Sequence, residues 1–173
     1  DAWAGTVNVY NNTVYNVQSA GGTKIAIGIR AADRSGSTAN VKNNIVAGLV
    51  SAASNGERAY EHGAANGGSG TLNEAYNLSD DTSATAYDAS GTGSLIDKSL
   101  AEIAFVSTGV GTEDLHLDTD SVCREAGVDL GTTNGVNIDI DQVDRDATGV
   151  TWDMGADQAS TAEASGSPAF MMF

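Results

Sequence analysis

Acidic side chains make up the densest group of residues in this sequence that could do chemistry. The group contains Asp139, Asp141, Asp144, Asp153 and the basic residue Arg145. Asp139 and Asp141 alternate, so in a strand or turn they would point to one side, where carboxylate oxygens can surround Ca²⁺. Alternatively, Arg145 can form a bidentate pair with Asp153 or Asp139 and fasten this end of the fold. The pattern lacks a complete calcium-binding loop, so we predict the ion pair and no cofactor, with Ca²⁺ as the alternative.

A second candidate group combines aromatic and polar side chains that could contact a glycan. Its members are Tyr10, Tyr15, Arg58, Tyr60 and His62. The last three belong to a polar stretch, and exposed loops are where binding residues tend to lie. We predict either a carbohydrate-binding patch at Arg58, Tyr60 and His62 or a solvated loop with no partner.

Charge and composition narrow the class of partner. Eight Lys and Arg residues stand against 23 Asp and Glu, a formal net charge of -15. Such a surface repels phosphate backbones, so we predict no nucleic-acid binding, whereas divalent cations or a salty medium would suit it. No run of about 18 apolar residues occurs, so we predict no membrane span. The single cysteine, Cys123, excludes an internal disulfide and is predicted to be a small buried residue, not a nucleophile.

Three sequence repeats make up the first part of the chain, and the fold they form must support the candidate residues. Three sets of equivalent residues coincide when the repeats are aligned: Thr6, Thr38 and Thr71; Asn8, Asn40 and Asn73; Asn12, Asn44 and Asn77. The spacing is 32 residues and then 33, a period typical of repeat architectures. We expect the last set to lie one above another and to hydrogen-bond along the stack, with a role as sugar ligands as the alternative.

Alternating apolar residues predict short strands within each repeat. The clearest alternation is Ile25, Ile27 and Ile29. Strands that return every 32 or 33 residues, too closely for intervening helices, predict parallel neighbours about 4.8 Å apart. The fold class that follows is all-β, a parallel solenoid with about 32–33 residues per coil and an irregular C-terminal capping segment.

The chain divides into three predicted parts. Residues 1–94 would form coils, residues 95–158 the last coil or coils with the capping segment, and residues 159–173 a tail or linker. Within the second part, residues 94–106 fit a strand or one short helix. The first residue is Asp1, not Met, which suggests a processed protein or a piece of a longer one.

Four motifs near the C-terminus carry a resemblance to a known group of proteins. In chain order they are Asp114–Leu117, Ser121–Gly127, Asp139–Arg145 and Asp153–Gln158. In that order they resemble the closing segment of right-handed parallel β-helix proteins of the secreted and surface-anchored type, the pectate-lyase-like superfamily in the wide sense. Two departures are Gln142, where Gly is usual, and Gln158, where the motif closes with Glu.

The resemblance implies a right-handed parallel β-helix in an extracellular, cell-surface or virion setting. It also implies that His116, within the first motif, is a packed structural residue. Lyases of this superfamily use a basic residue, yet the eight basic residues form no lyase-like cluster. Its hydrolases need several carboxylates about 5 to 9.5 Å apart in one groove, which Glu74, Asp80 and Asp81 could supply in principle.

We therefore predict no catalytic residues and a non-catalytic β-solenoid module with a structural or display role. Its predicted partners are a polysaccharide or cell-surface glycan, and a trimer or an assembly with other chains would suit a tail-spike role. The alternative function is a fragment of a polysaccharide lyase or glycoside hydrolase of the parallel β-helix type. Fold alone does not choose between these functions.

Overall fold

The computed structural model describes residues 5–21, 25–31, 36–53, 56–62, 70–80, 88–147 and 150–159. These residues form an all-β structure with parallel sheets and little helix. The strands are β1 (Thr6–Tyr10), β2 (Thr13–Tyr15), β3 (Gln18–Ser19), β4 (Ala26–Ala31), β5 (Thr38–Lys42), β6 (Ile45–Ala47), β7 (Val50–Ser51), β8 (Glu57–His62), β9 (Thr71–Ala75), β10 (Leu78–Ser79), β11 (Phe105–Ser107) and β12 (Asp114–Leu117). A short helix, α1 (Leu100–Ile103), and a 3₁₀ turn at Thr133–Gly135 accompany them.

Equivalent strands of successive repeats pair in parallel. The sheets have the orders β1-β5-β9, β2-β6-β10, β3-β7 and β4-β8. In the first sheet Thr6 pairs with Thr38 and Thr38 with Thr71, so the register follows the sequence repeat without a shift. The parallel pairing predicted from the 32- and 33-residue spacing is therefore confirmed.

A bend with left-handed backbone separates the first two strands of each repeat. Its first residue is Asn11, Asn43 or Tyr76, with φ values of 54°, 55° and 53°. Asparagine adopts this conformation more readily than most residues because its short side chain can hydrogen-bond locally. The bend turns the chain between two sheets at the same point in every repeat.

The stretch 57–62, expected to be an exposed loop or patch, is instead strand β8. It pairs with β4 in parallel, with Ala26 opposite Glu57 and Ile29 opposite Tyr60. Tyr60 is only 3% exposed and packs among apolar residues of the interior. The polar sequence misled because Tyr60 is buried opposite Ile29 of β4, and Ala59 beside it is fully buried as well.

The middle strand β6 is covered on both faces. Val46 packs in one apolar cluster with Val41 and Tyr60. Ile45 and Ala47 face a second cluster, to which residues of the C-terminal segment belong: Ile103, Phe105, Leu117, Cys123 and Met154. Ile45, Val46 and Ala47 are consequently fully buried. The C-terminal segment thus closes the outer face of the sheet β2-β6-β10.

The segment 94–106, for which a strand or a short helix was expected, contains both. Ser99 caps α1 through a capping box in which its side chain accepts from the Glu102 amide while the Glu102 carboxylate accepts from the Ser99 amide. Ala104 ends the helix in the left-handed conformation, and β11 follows and pairs with β12 in antiparallel fashion. His116 lies on β12 of this β11–β12 hairpin and belongs to the site described below.

Gly91 lies where a side chain has no room. Its φ is +81°, and a Cβ there would overlap the carbonyl oxygen of Glu74 in β9. We expect Gly91→Ala to lower the free energy of unfolding by about 2–4 kcal/mol, because a left-handed backbone strain adds to a clash with main chain. Urea unfolding followed by circular dichroism measures the effect.

Gly111 provides the matched control for this substitution. Its φ is +78°, yet no atom lies within 4 Å of an added Cβ. Gly111→Ala should therefore cost only the backbone term, about 1–2 kcal/mol. Equal losses for the two variants would contradict close packing of Gly91 against β9.

Candidate functional site

The predicted set of four aspartates does not form one cluster in the structure. Asp139 is buried, and its Oδ1 accepts from the amides of Asp141 at 2.9 Å and Val143 at 2.7 Å while its Oδ2 accepts from the Gln158 amide at 3.1 Å. Both oxygens of Asp139 are thus used to hold turns together. The Asp139 carboxylate is therefore structural, and it does not share a metal site with Asp141, Asp144 and Asp153.

Asp153 and Asp144 are also occupied by backbone amides. Asp153 is 1% exposed and accepts from the amides of Glu125 and Ala159. Burial raises the pKa of Asp153, although these two hydrogen bonds oppose the effect. Asp144 lies at the surface and accepts from the Asn137 side chain and the Asp146 amide, each at 3.0 Å.

Arg145 fastens the C-terminal turn, but not through the bidentate carboxylate pair that the sequence suggested. The side chain is fully buried, and it donates to the carbonyl oxygens of Asp153 at 3.2 Å and Gly155 at 2.9 Å. Its guanidinium lies 5.9 Å from the ring centroid of Trp152. Burial lowers the pKa of Arg145, and the charges of Asp139 and Asp153 oppose that shift. The predicted partners of Arg145 therefore do not pair with it through their carboxylates. Asp139 and Asp153 act on the guanidinium through their charge, and Asp153 also accepts a hydrogen bond with its main-chain carbonyl oxygen.

A different set of side chains converges among the described residues. His116, Asp141 and Asp157 each offer a ligand atom, and these atoms lie within 4.8 Å of one another. His116 Nε2 is 2.9 Å from Asp141 Oδ2. Asp157 is buried, and its Oδ2 accepts from the Leu117 amide at 2.8 Å. The three residues come from β12, from a turn and from the segment after Gly155.

Asp114 supports the imidazole from the other side. Because residues two apart on a strand share a face, Asp114 lies beside His116, and its Oδ1 contacts His116 Nδ1. This hydrogen bond raises the pKa of His116 and lowers that of Asp114. The imidazole is 42% exposed, so it is less completely packed than expected. A cavity of about 120 Å³ lies beside it, lined also by Thr13, Leu115 and Ile140.

Sequence reasoning named two members of this cluster and missed one. Asp141 is one of the residues predicted to bind a metal, and His116 is predicted to be structural. Asp157 lies in the fourth C-terminal motif, Asp153–Gln158, in which the sequence pointed only to Asp153 as a candidate site residue. The alternation of Asp114 and His116 was the available signal, because it places a carboxylate beside an imidazole on one face. Nothing in the spacing indicated that the Asp141 turn would reach β12.

The predicted carbohydrate-binding residues do not form a single surface. Tyr60 is buried, and its hydroxyl lies 2.9 Å from the carbonyl oxygens of Asn44 and Leu78, which accept its hydrogen bond. Tyr15 packs edge-on against Phe105. Arg58 pairs with Glu61 within β8, and the side chain of His62 lies outside the described part of the structure. Tyr60 is therefore a core residue and cannot belong to an exposed patch. Carbohydrate binding by Arg58 and His62 stays a prediction.

Tyr10 lines a large groove. The groove has a volume of about 540 Å³, and Asn8 and Asn12 line one side of it. Leu130, Thr133 and Val136 of the C-terminal segment line the other. The Tyr10 hydroxyl donates to Asn8 Oδ1 at 3.2 Å. An aromatic ring beside amide groups in an open groove is suited to a polar ligand with apolar faces, such as a sugar.

The three asparagines at the bends form the stack that their spacing predicts. Asn12 Nδ2 donates to Asn44 Oδ1 at 2.9 Å, and Asn44 Nδ2 donates to Asn77 Oδ1 at 3.0 Å. The backbone amides of Asn12 and Asn44 donate to the same oxygens at 3.1 and 3.0 Å. Asn44 and Asn77 are fully buried, so these two side chains are not accessible as sugar ligands.

Cys123 is inaccessible in the C-terminal segment. It is fully buried, and burial raises the pKa of its thiol to about 12. We expect a thiol reagent at pH 8 to label the folded protein at least about a hundredfold more slowly than the urea-unfolded protein, because thiolate is the reactive form. Labelling of the folded protein at the unfolded rate would contradict this burial.

Comparisons with known protein families, with curated protein sequences and with solved structures found no match to this chain. Within the described residues, no helix has the length and apolar character needed to cross a membrane.

Proposed function

We propose that this chain is a module of a right-handed parallel β-helix with a non-catalytic structural or display role. The observation that carries the proposal is the unshifted register of three repeats, with Thr6, Thr38 and Thr71 in line. Side-chain hydrogen bonds between the repeats accompany this register at the bends. Such a stack is rigid because each repeat is fixed by main-chain and side-chain bonds to its neighbours. Rigidity suits a scaffold that presents its surface to partners at an extracellular, cell-surface or virion location.

The proposed ligand is a glycan in the groove beside Tyr10. The groove has amide groups at Asn8 and Asn12 and an aromatic ring at Tyr10, and it is large enough for a few sugar rings. His116, Asp141, Asp157 and the other acidic residues described above are not among the residues that line it. The groove therefore supports binding better than bond cleavage, and a homo-oligomer would present several such grooves together.

Binding and turnover can be measured on the same samples. The full chain is titrated with soluble neutral and uronate polysaccharides by calorimetry, and each mixture is assayed for new reducing or unsaturated ends. We expect saturable binding without new ends, and at least about tenfold weaker binding for Tyr10→Ser, because it removes the stacking ring. Tyr15→Phe keeps the ring contact with Phe105 and should bind normally.

Three outcomes would count against the proposal. Product formation that a point mutation abolishes would replace it with a polysaccharide lyase or hydrolase. An unchanged affinity in Tyr10→Ser would remove the groove as the binding site. A crystal structure with antiparallel neighbours between repeats would overturn the β-helix itself.

A further inference from the structure

We propose that His116, Asp141 and Asp157 bind a divalent transition-metal ion, with Asp114 as the residue that positions the imidazole. The proposal is independent of the glycan-binding function, because none of these residues lines the groove beside Tyr10. It also differs from the calcium set considered from the sequence, with which it shares only Asp141.

The convergence of ligand atoms is the first argument. The three atoms lie within 4.8 Å of one another, although they belong to separate segments. Zinc bonds of about 2.0–2.2 Å place two tetrahedral ligands roughly 3.4 Å apart. Small side-chain rotations would therefore bring all three atoms to one ion, and Asp141, which is exposed, has the freedom to make them.

The environment of the imidazole is the second argument. Contact with Asp114 places the proton of a neutral ring on Nδ1, which leaves the lone pair of Nε2 directed away from Asp114. Nε2 is buried and makes no hydrogen bond, although Asp141 Oδ2 is 2.9 Å away. Two acceptor atoms this close repel each other unless a proton on Nε2 or a metal ion lies between them, and the metal titration described below distinguishes the two. A carboxylate behind a histidine that faces other carboxylates is the usual arrangement around a protein-bound metal.

Donor chemistry indicates which metal the site would take. Imidazole with carboxylates suits Zn²⁺ and similar first-row ions, whereas Ca²⁺ prefers ligands that are all oxygen. Asp157 is held by the Leu117 amide, so one ligand is already fixed in place. Three protein ligands leave a fourth position for water or another molecule. The net charge of -15 would also raise the local concentration of cations.

Metal binding to the full chain tests the proposal. The protein is stripped with chelator, exchanged into metal-free buffer and titrated separately with ZnCl₂, CoCl₂ and CaCl₂ by calorimetry, with thermal unfolding recorded in parallel. We expect one equivalent of Zn²⁺, a higher unfolding temperature with Zn²⁺, and at least tenfold weaker binding of Ca²⁺. Co²⁺ should give visible absorption bands of a low-coordinate nitrogen and oxygen site.

Variants of exposed aspartates separate this site from general attraction to an acidic surface. Asp141→Asn should weaken Zn²⁺ binding at least tenfold and remove the Co²⁺ bands. Asp144→Asn is the matched control, because Asp144 is also exposed, lies near Asp141 in the sequence and is outside the cluster. It should bind as the original chain does.

A further variant tests the positioning residue. Asp114→Asn should keep one equivalent of metal, weaken it by about ten- to a hundredfold and shift the Co²⁺ bands, because the imidazole loses its carboxylate support. Absence of Zn²⁺ binding, equal binding by Asp141→Asn and Asp144→Asn, or a preference for Ca²⁺ would each overturn the proposal. A failure of glycan binding would leave it unaffected.

Discussion

Replacing Asn44 with alanine is expected to lower the free energy of unfolding by about 3–5 kcal/mol. Asn44 is fully buried in the middle repeat. Its Nδ2 shares two hydrogens among three acceptors, the carbonyl oxygens of Val9 and Lys42, each at 2.9 Å, and Asn77 Oδ1. Its Oδ1 accepts from both the backbone and the side chain of Asn12. Alanine would leave several of these groups buried without partners, which costs more than the lost bonds themselves.

Asn40 offers a control of the same residue type in the same repeat. Its side chain also bridges neighbours, donating to Asn8 Oδ1 at 2.8 Å and accepting from Asn73 at 2.9 Å, but at the solvent-accessible face. Water replaces these partners in Asn40→Ala, so we expect a loss below about 1 kcal/mol. Urea unfolding of both variants measures the difference. Similar losses would mean that burial of the inner asparagines contributes nothing.

Arg145→Met is expected to destabilise the protein by a similar amount, about 3–5 kcal/mol. Methionine fills much of the volume, yet it cannot donate to the carbonyl oxygens of Asp153 and Gly155. It also removes a cation whose charge acts on the buried carboxylates Asp139 and Asp153, and Arg124, which acts on Asp153 as well, does not replace its hydrogen bonds. Removing one partner from a buried charged group leaves the remaining charges uncompensated.

Lys98→Met is the control for loss of a positive charge. Lys98 Nζ lies 3.2 Å from Glu102 Oε1, and both side chains are partly exposed. Such pairs contribute about 0–1 kcal/mol, so the variant should unfold almost normally. Chemical denaturation with two probes, tryptophan fluorescence and circular dichroism, reports both the C-terminal turn and the sheets. A loss below about 1 kcal/mol in Arg145→Met would show that the turn does not depend on the guanidinium.

The sequence was most informative where side chains repeat. Equivalent Thr and Asn residues at 32- and 33-residue intervals determine the pairing of β1, β5 and β9, because a one-residue shift would move every apolar side chain to the other face. The sequence was least informative in β8. Tyr60 is buried there because its hydroxyl can hydrogen-bond to two main-chain carbonyl oxygens. The composition of such a strand predicts a polar loop, because the hydrogen-bond partners of the hydroxyl, Asn44 and Leu78, lie elsewhere in the sequence.

The C-terminal segment shows the same limit for the candidate site. Motif order indicated that Asp139 and Arg145 belong to a closing structure, and both are buried there. Their individual hydrogen bonds could not be predicted, because a carboxylate can accept from a backbone amide, accept from a guanidinium or bind a metal. The cluster of His116 and Asp157 depends on how a hairpin and a turn fold against each other. No periodic pattern encodes that contact.

The two rows of asparagine amides run in opposite directions, and this has an electrostatic consequence. The bonds between the side chains of Asn12, Asn44 and Asn77 donate toward the third repeat, whereas those from Asn73 through Asn40 to Asn8 donate toward the first. Asn44 and Asn77 also donate to a main-chain carbonyl oxygen of the preceding repeat. The dipoles of the two rows therefore oppose each other, unlike the aligned peptide dipoles of an α-helix. A stack built this way can be lengthened repeat by repeat without accumulating partial charge from these amides at its two ends.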